Sequence, residues 1–369
     1  MGAPTAALHA RAAGSPNFRD GAFVSPEPTH AIAESLAGRD GRDNPAVAAL
    51  RARRQGHPAR PVPVLRPEFP TPASELAVTW LGHASSIVEL EGRRFLLDPV
   101  FGDRVSPSLL VGPRRLHPVP CRVNDLPPLD GVLISHDHYD HLDEPTIAEL
   151  ERSHAPHYVV PIGVDVHLAT WGVPEERITA LDWRAETELG GIRLVCTEAR
   201  HFSGRGFVRN ATLWAGWLLR GEHRSVWFAG DTGPSRCFEE VGRDLGPVDL
   251  TLVPVGAYSD YWPEVHVTPE QAIGVHRAVT RGGPTAVMLP VHWGTFNLAM
   301  HWWSEPIRRT LRAAAQAEVP VIAPRVGERV DLAAVDSGAV DSGAVDSGAV
   351  AARFGDPWWR AAASPDDHD

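Results

Sequence analysis

The sequence predicts an α+β protein in which helices cover layered β-sheet. Two observations carry that class. Short apolar runs recur from residue 76 to residue 291, and helix signals fall between and after them.

The runs LAVTW (76–80), SSIVEL (85–90) and RRFLLD (93–98) are short and β-rich, and Gly-His and Glu-Gly break them as in a meander. GVLIS (131–135) is a buried strand followed by a helix over 143–154, whose Asp143 and early Pro145 mark its start. Further strands are expected in YVVPI (158–162), IRLVCTEA (192–199), TLWAGWLL (212–219), SVWFAG (225–230), LTLVPV (250–255) and TAVMLPV (285–291). Between the last two, Thr268-Pro269-Glu270-Gln271 has the form of a capping box with proline in the first turn, so a helix begins there. EPIRRTLRAAAQAE (305–318) is a second, Ala- and Arg-rich helix.

Composition sets the limits. At 43% hydrophobic and 22% charged residues the 369-residue chain is of globular type. No stretch approaches the ~20 apolar residues of a membrane span, and the N-terminus lacks the apolar core of a secretory signal. Cys121, Cys196 and Cys237 are odd in number and far apart, which argues for a reducing cytoplasm and against a disulfide framework. The formal charge of −11 disfavours nucleic acid as a partner. Oligomeric state leaves no mark in the sequence. Residues 1–72, rich in Ala, Pro, Arg and Gly, read as a loop-rich extension, a solvated arm wrapped over the domain. The main folded domain is expected over 73–330. Residues 331–369 hold three copies of AVDSG, too small and polar to bury a core, and read as a flexible linker with a loosely attached end.

The chemistry concentrates in HDHYDH (136–141) at the C-terminal end of GVLIS. A polar turn needs Gly, Asn or Ser, not His136, His138, Asp140 and His141 at offsets 0, 2, 4 and 5. Imidazole with carboxylate, and no nearby cysteine, suits a borderline divalent ion in a reactive site rather than a zinc finger. Four donors so tightly spaced divide more easily over two ions than one. Further donors are then required at other strand ends, and His201, Asp231 and His292 each follow an apolar run.

These residues, with TWLGHASSIVEL, FLLDPVFGDRVSP, LPPLDGVLISHDHYDHLD, FAGDTG, VPVGAY, HVTPEQA and VHWGTF, resemble the metallo-β-lactamase fold superfamily. Within it they are similar to the branch of N-acyl-phosphatidylethanolamine-hydrolysing phospholipase D and its bacterial relatives, from about Val78 to about Glu305. The resemblance implies a four-layer αβ/βα sandwich with two metal ions at one edge, Zn2+ being expected and Mn2+ or Fe2+ occupying similar sites elsewhere. It implies that His136, His138 and His201 hold the first ion, and that Asp140, His141 and His292 hold the second. Asp231 bridges both, so Asp140 and Asp231 belong to the catalytic apparatus. His83 and Asp98 match positions near the site. Asp98 suits the task of orienting a ligand imidazole, and Asp98-Pro99 equally suits a plain turn. His266 matches a histidine facing the substrate, to bind a phosphate or protonate a leaving group; packing at a helix entry fits it as well. In SPSLLVGPRRLHPV (106–119), Arg114 and Arg115 would sit near a substrate phosphate if the segment lines the entrance, and otherwise it is a proline-rich loop.

A hydroxide shared by two cations about 3.5–4 Å apart attacks a phosphorus or carbonyl carbon. The expected reaction is therefore hydrolysis of a phosphodiester in a small-molecule or lipid substrate, phospholipase D-like, with room for peripheral membrane contact. The alternatives are a lactone or carboxylic-ester hydrolase and, from another class, a non-catalytic metal-binding module, which the loss of a ligand would mark; all seven ligand positions are filled. Most tryptophans are expected in the core. His154, His157, His167 and His223 are expected at the surface or helix ends, and Asp137 and Tyr139 bonded within their loop.

Overall fold

The computed structural model describes residues 2–27, 55–108, 110–205, 208–283, 285–332 and 357–367. The AVDSG repeat lies outside the described residues.

Two sheets carry the molecule. The first is built from β3 (Leu76–Gly82), β4 (Ser85–Leu90), β5 (Arg93–Leu97), β6 (Gly131–Leu133), β7 (Tyr158–Pro161), β8 (Ile178–Leu181) and β15 (Arg329–Asp331), in the order β15-β3-β4-β5-β6-β7-β8. The second runs β14-β13-β12-β11-β10-β9, from β9 (Glu186–Leu189), β10 (Ile192–Thr197), β11 (Gly216–Arg220), β12 (Ser225–Phe228), β13 (Leu250–Pro254) and β14 (Val287–Val291). Antiparallel pairing governs the meander β3-β4-β5, and parallel pairing governs β5 to β8 and β12 to β14. Parallel neighbours need crossovers. Helices α2 (Glu144–Ser153) and α3 (Val164–Thr170) join β6 to β7 and β7 to β8 in the first sheet, and α4 (Cys237–Leu245) and α5 (Pro269–Thr280) join β12 to β13 and β13 to β14 in the second. The helix α1 (Thr5–Ala12) precedes a two-strand ribbon of β1 (Phe18–Arg19) and β2 (Ala22–Phe23), whereas α6 (Glu305–Ala317) and α7 (Trp359–Ala362) follow β14.

Strands covered on both faces bury every position instead of alternating with polar residues. Val78, Trp80, Val88, Leu97 and Leu133 meet Leu194, Trp217, Val226 and Phe228 of the opposite sheet in one core. On the outer face of the first sheet, Ile87, Leu96, Val132 and Val160 pack with Ile147 and Leu150 of α2 and Leu168 of α3. Outside the second sheet lie Phe238 and Val241 of α4, Ile273 and Val279 of α5, and Ile307 of α6. The layers are helix, sheet, sheet, helix, as the resemblance implies.

The capping box at Thr268 forms in full: its side chain accepts from the Gln271 N–H while the Gln271 side chain reaches back to the Thr268 N–H. The 212–219 run starts later than its composition suggests, at Gly216.

Both ends of the chain are better anchored than the sequence suggests. Leu8 and Ala12 of α1 and Phe23 are buried, Ala12 and Phe23 beside Leu213 and Trp214. Residues 357–367, expected as a loosely attached end, instead dock in the core. Trp358 stacks on Trp293 with ring centres 5.6 Å apart, Trp359 meets the same ring edge-on at 6.2 Å, and the Trp358 indole donates to the Ala323 carbonyl. A tail of mostly small residues reads as loose, but two adjacent indoles carry enough apolar surface to hold it. Among the described residues no helix is long and apolar enough to cross a membrane.

Candidate metal centre

Strand ends from both sheets converge on one edge. β3 delivers His83, β5 delivers Asp98 and β6 delivers Ser135 and His136, while in the opposite sheet β10, β12 and β14 lead to His201, Asp231 and His292. The two edges are tied by backbone bonds, from His292 N–H to the His83 carbonyl (3.0 Å) and from Ala215 N–H to the Ser135 carbonyl (2.9 Å). His83, Asp98 and His292 all have positive φ (54°, 38° and 63°). This region is uncommon for residues with a Cβ and persists where the surroundings enforce it.

The donors fall into two groups. His136, His138 and His201 offer nitrogens within 4.8 Å of one another, and so do His83, Asp140, His141 and His292 with their ligand atoms. Asp231 joins them: its Oδ2 lies 3.1 Å from Nε2 of both His141 and His292 and 3.8 Å from Nε2 of His201. All seven sequence-predicted donors are thus brought together. His83 also reaches the cluster directly, with Nε2 3.0 Å from Asp140 Oδ2.

The far nitrogens of several imidazoles are committed, which aims the near ones inward. His141 donates through Nδ1 to Asp98 at 2.6 Å. Asp98 also accepts from the Ser135 N–H (2.6 Å) and hydroxyl (2.5 Å). With its own proton given to Asp98, the Ser135 hydroxyl accepts from His136 Nδ1 at 2.9 Å. His201 Nδ1 donates to the Val265 carbonyl at 3.0 Å. The lone pair left on Nε2 of His136 faces Nδ1 of His138 at 2.8 Å.

Burial is the largest influence on each titratable group here and opposes charge. At Asp231 it is outweighed by His141, His292 and His266, and at Asp140 chiefly by His141, so both carboxyls lie well below the usual range. In return Asp231 and Asp140 hold His141 well above its ordinary value and His292 at about 9, against burial. Burial and neighbouring imidazoles push His136 well below its ordinary value; burial and the imidazoles of His138 and His266 do the same to His201. Carboxylates and imidazoles gathered in one buried cluster form the donor set of a borderline divalent cation. Buried Nε2 of His141 and of His292 and Oδ1 of Asp231 have no hydrogen-bond partner, as expected of atoms whose partner is a metal ion. The residues present fit the group.

His266 stands beside the cluster, its ring centre 5.2 Å from those of both His201 and His292 and its Nδ1 4.0 Å from Asp231 Oδ2. It also lines a cleft of about 330 Å3 with Tyr258, Tyr261, His301, Glu305 and Arg309. The arginines of the 106–119 segment lie elsewhere. Arg114 is exposed opposite Asp103, while Arg115 is buried, bonds the carbonyls of Val100 and Gly102 and lies over the Phe296 ring. Neither forms a hydrogen bond or ion pair with the cluster among the described residues.

Three positioning residues escape sequence reasoning. Ser135 is marked only by its place before the first donor. Arg205 clamps the 136–142 loop through the carbonyls of Asp137 (2.9 Å) and Leu142 (2.7 Å) and lies over the Tyr139 ring, with no local motif to announce it. His167, expected near the surface, is buried, with Nε2 3.5 Å from Asp137 Oδ2. Asp137 bonds outside its own loop, accepting from Gly204 N–H at 2.7 Å.

A sequence profile of the Beta-lactamase superfamily domain matches residues 93–293, which span this whole edge except His83. The chain belongs to the beta-lactamase superfamily. An uncharacterized protein of Mycobacterium tuberculosis is 46% identical over 90% of this chain and 88% of its own length. An N-acyl-phosphatidylethanolamine-hydrolyzing phospholipase D 1 of Caenorhabditis elegans is 36% identical over 63% of this chain and 68% of its own length, which supports the branch named above. Among solved structures, an isothiocyanate hydrolase from Delia radicum gut bacteria superposes with a TM-score of 0.54 at 18% identity, over 69% of this chain and 98% of that one, a likeness of fold. Membership of this superfamily makes the chain a metal-dependent hydrolase.

Proposed function

We propose that the protein is a phosphodiesterase working with two divalent ions, of the phospholipase D type, whose substrate is an N-acylated phosphatidylethanolamine or a related phosphodiester. The observation that carries this reading is the position of Asp231, whose Oδ2 lies within 4 Å of donors from both groups. In this reading His136, His138 and His201 hold one ion, Asp140, His141 and His292 the other, and Asp231 touches both. Zn2+ suits the imidazole-rich set best. When bound, such ions acidify water and polarise the oxygen of the bond under attack.

The chain's own residues do the rest. Asp98 and Ser135 fix the imidazole tautomers of His141 and His136. His266, on the open side of the cluster, faces the leaving group and gives it a proton or a hydrogen bond. The cleft beside it, walled by Tyr258 and Glu305, receives the departing portion. The relative in Caenorhabditis elegans favours a phosphodiester over a lactone or carboxylic ester.

The test is metal analysis joined to a substrate panel. Purification without chelators should give about two equivalents of metal per chain, and the protein should hydrolyse bis-p-nitrophenyl phosphate. Asp231→Ala should lose at least one equivalent and all turnover. Metal near zero overturns the dinuclear reading, and activity on lactones with none on phosphodiesters overturns the substrate class.

A further inference from the structure

Three segments of the chain meet at one hydroxyl behind the metal cluster. Thr295 Oγ1 accepts from the His83 N–H at 2.6 Å and lies 2.9 Å from Nε2 of His117, while the Thr295 carbonyl accepts from the Leu116 N–H at 2.9 Å. We propose that Thr295 is a positioning residue for the metal centre. Its hydroxyl, steered by His117, fixes the backbone turn that aims His83 at Asp140 and holds His292 in place.

The direction of these bonds follows from the groups involved. His117 Nδ1 lies 2.8 Å from the Pro118 carbonyl, which can only accept, so Nδ1 carries the proton. Burial lowers the His117 pKa to about 4, which keeps the ring neutral and leaves Nε2 as an acceptor. The Thr295 hydroxyl therefore gives its proton to His117 and turns its lone pairs to the His83 N–H. Thr295, His117 and His83 are all buried, so water does not replace a bond that is lost.

What the hydroxyl holds is an unfavourable turn. Gly82 and His83 both have positive φ, 103° and 54°. A Cβ on Gly82 would lie 2.8 Å from the His117 ring and 3.0 Å from Thr295 Oγ1, so these two side chains fill the space that a side chain at 82 would take. A histidine stays in the left-handed region only where its surroundings enforce it. At His83 the enforcing contacts are the Thr295 hydroxyl on the N–H and, on the carbonyl, the Trp80 indole N–H (2.9 Å) and the His292 N–H (3.0 Å). The turn so fixed sets the His83 ring centre 3.9 Å from that of His292 and its Nε2 3.0 Å from Asp140 Oδ2. Thr295 itself stands three residues beyond His292, so one bond ties together the segments that follow β3 and β14. The inference rests on Asp140 and His292 being metal donors and is independent of the substrate.

The test is Zn2+ affinity of the full chain, read by chelator competition, in Thr295→Val and Thr295→Ser. The first keeps the shape and loses the hydroxyl; the second keeps the hydroxyl and loses a methyl. Thr295→Val should bind Zn2+ about tenfold or more weakly, and Thr295→Ser should stay within about threefold of the wild type. An affinity of Thr295→Val equal to that of the wild type overturns the proposal, whatever happens to Tm. So does an equal loss in both variants, which would show that packing rather than the hydroxyl matters. Should Thr295→Val not fold, His117→Leu removes the acceptor that steers the hydroxyl; it should weaken Zn2+ in the same direction, and unchanged affinity overturns the proposal. Turnover is not read, so a failure of the phosphodiester reading leaves these outcomes intact.

Discussion

Asp98 and His141 are joined by a buried hydrogen bond of 2.6 Å that leaves the opposite ring nitrogen of His141 aimed at Asp231. The same carboxylate also holds the Ser135 hydroxyl that meets His136. One side chain therefore orients a donor in each group. Asp98→Asn keeps the shape and replaces one acceptor oxygen with an NH2 donor, so metal affinity should fall about 10–100-fold. Competition with a chelator measures it, and an affinity within twofold of wild type would contradict the role.

Arg205 spans two carbonyls of the 136–142 loop and covers Tyr139. Arg205→Lys keeps the charge but cannot bond both carbonyls in one plane. The variant should fold, with Tm lowered by several degrees, and should release metal faster on chelator challenge. Calorimetry and stopped-flow metal release check the two parts separately.

Gly256 leaves no room for a side chain, because a Cβ there would lie 2.0 Å from the His292 carbonyl oxygen. Gly256→Ala must push back the segment that carries His292. Metal content should drop by about half or more if two ions are bound. Elemental analysis reads the loss directly, and full retention would show that His292 tolerates displacement.

His276 lies on α5, away from the metal cluster, with Nδ1 2.8 Å from the Thr251 hydroxyl. Burial lowers its pKa from 6.5 to about 4. The folded value is below the unfolded one, so the unfolded chain takes up the proton first. Stability is fully present above pH 6.5 and is lost as the pH falls toward 4, by at most about 3 kcal/mol from this group. His276→Gln should be about 1 kcal/mol less stable at pH 7 through the altered bond to Thr251, yet should lose less between pH 7 and 5. Urea titrations of both proteins at the two pH values test it; parallel losses would rule His276 out.

Much of the site is legible from the chain because its donors follow strands. Periodicity locates β6, β12 and β14, and His136, Asp231 and His292 lie at or just beyond their ends. HDHYDH adds a local cluster too dense for an ordinary turn. The rest depends on contacts between distant segments. Nothing near Arg205 foretells that the 136–142 loop will lie within its reach, and nothing near Val265 foretells that its carbonyl will hold His201. β8 and β9 pass unnoticed since ITAL and ETEL are short and partly exposed, without a buried strand's apolar run. The tail is misread for a related reason, since the surface that Trp358 and Trp359 bury is contributed by Trp293 and Trp303.

That docking gives synthesis an order. Trp293 follows His292 directly and stacks on Trp80, but the part of its ring that Trp358 and Trp359 cover stays open until those residues have left the ribosome and folded back over it. A nascent chain that has already released every metal donor still shows an open aromatic face, a natural handle for chaperones and a point where premature termination leaves the protein prone to aggregate.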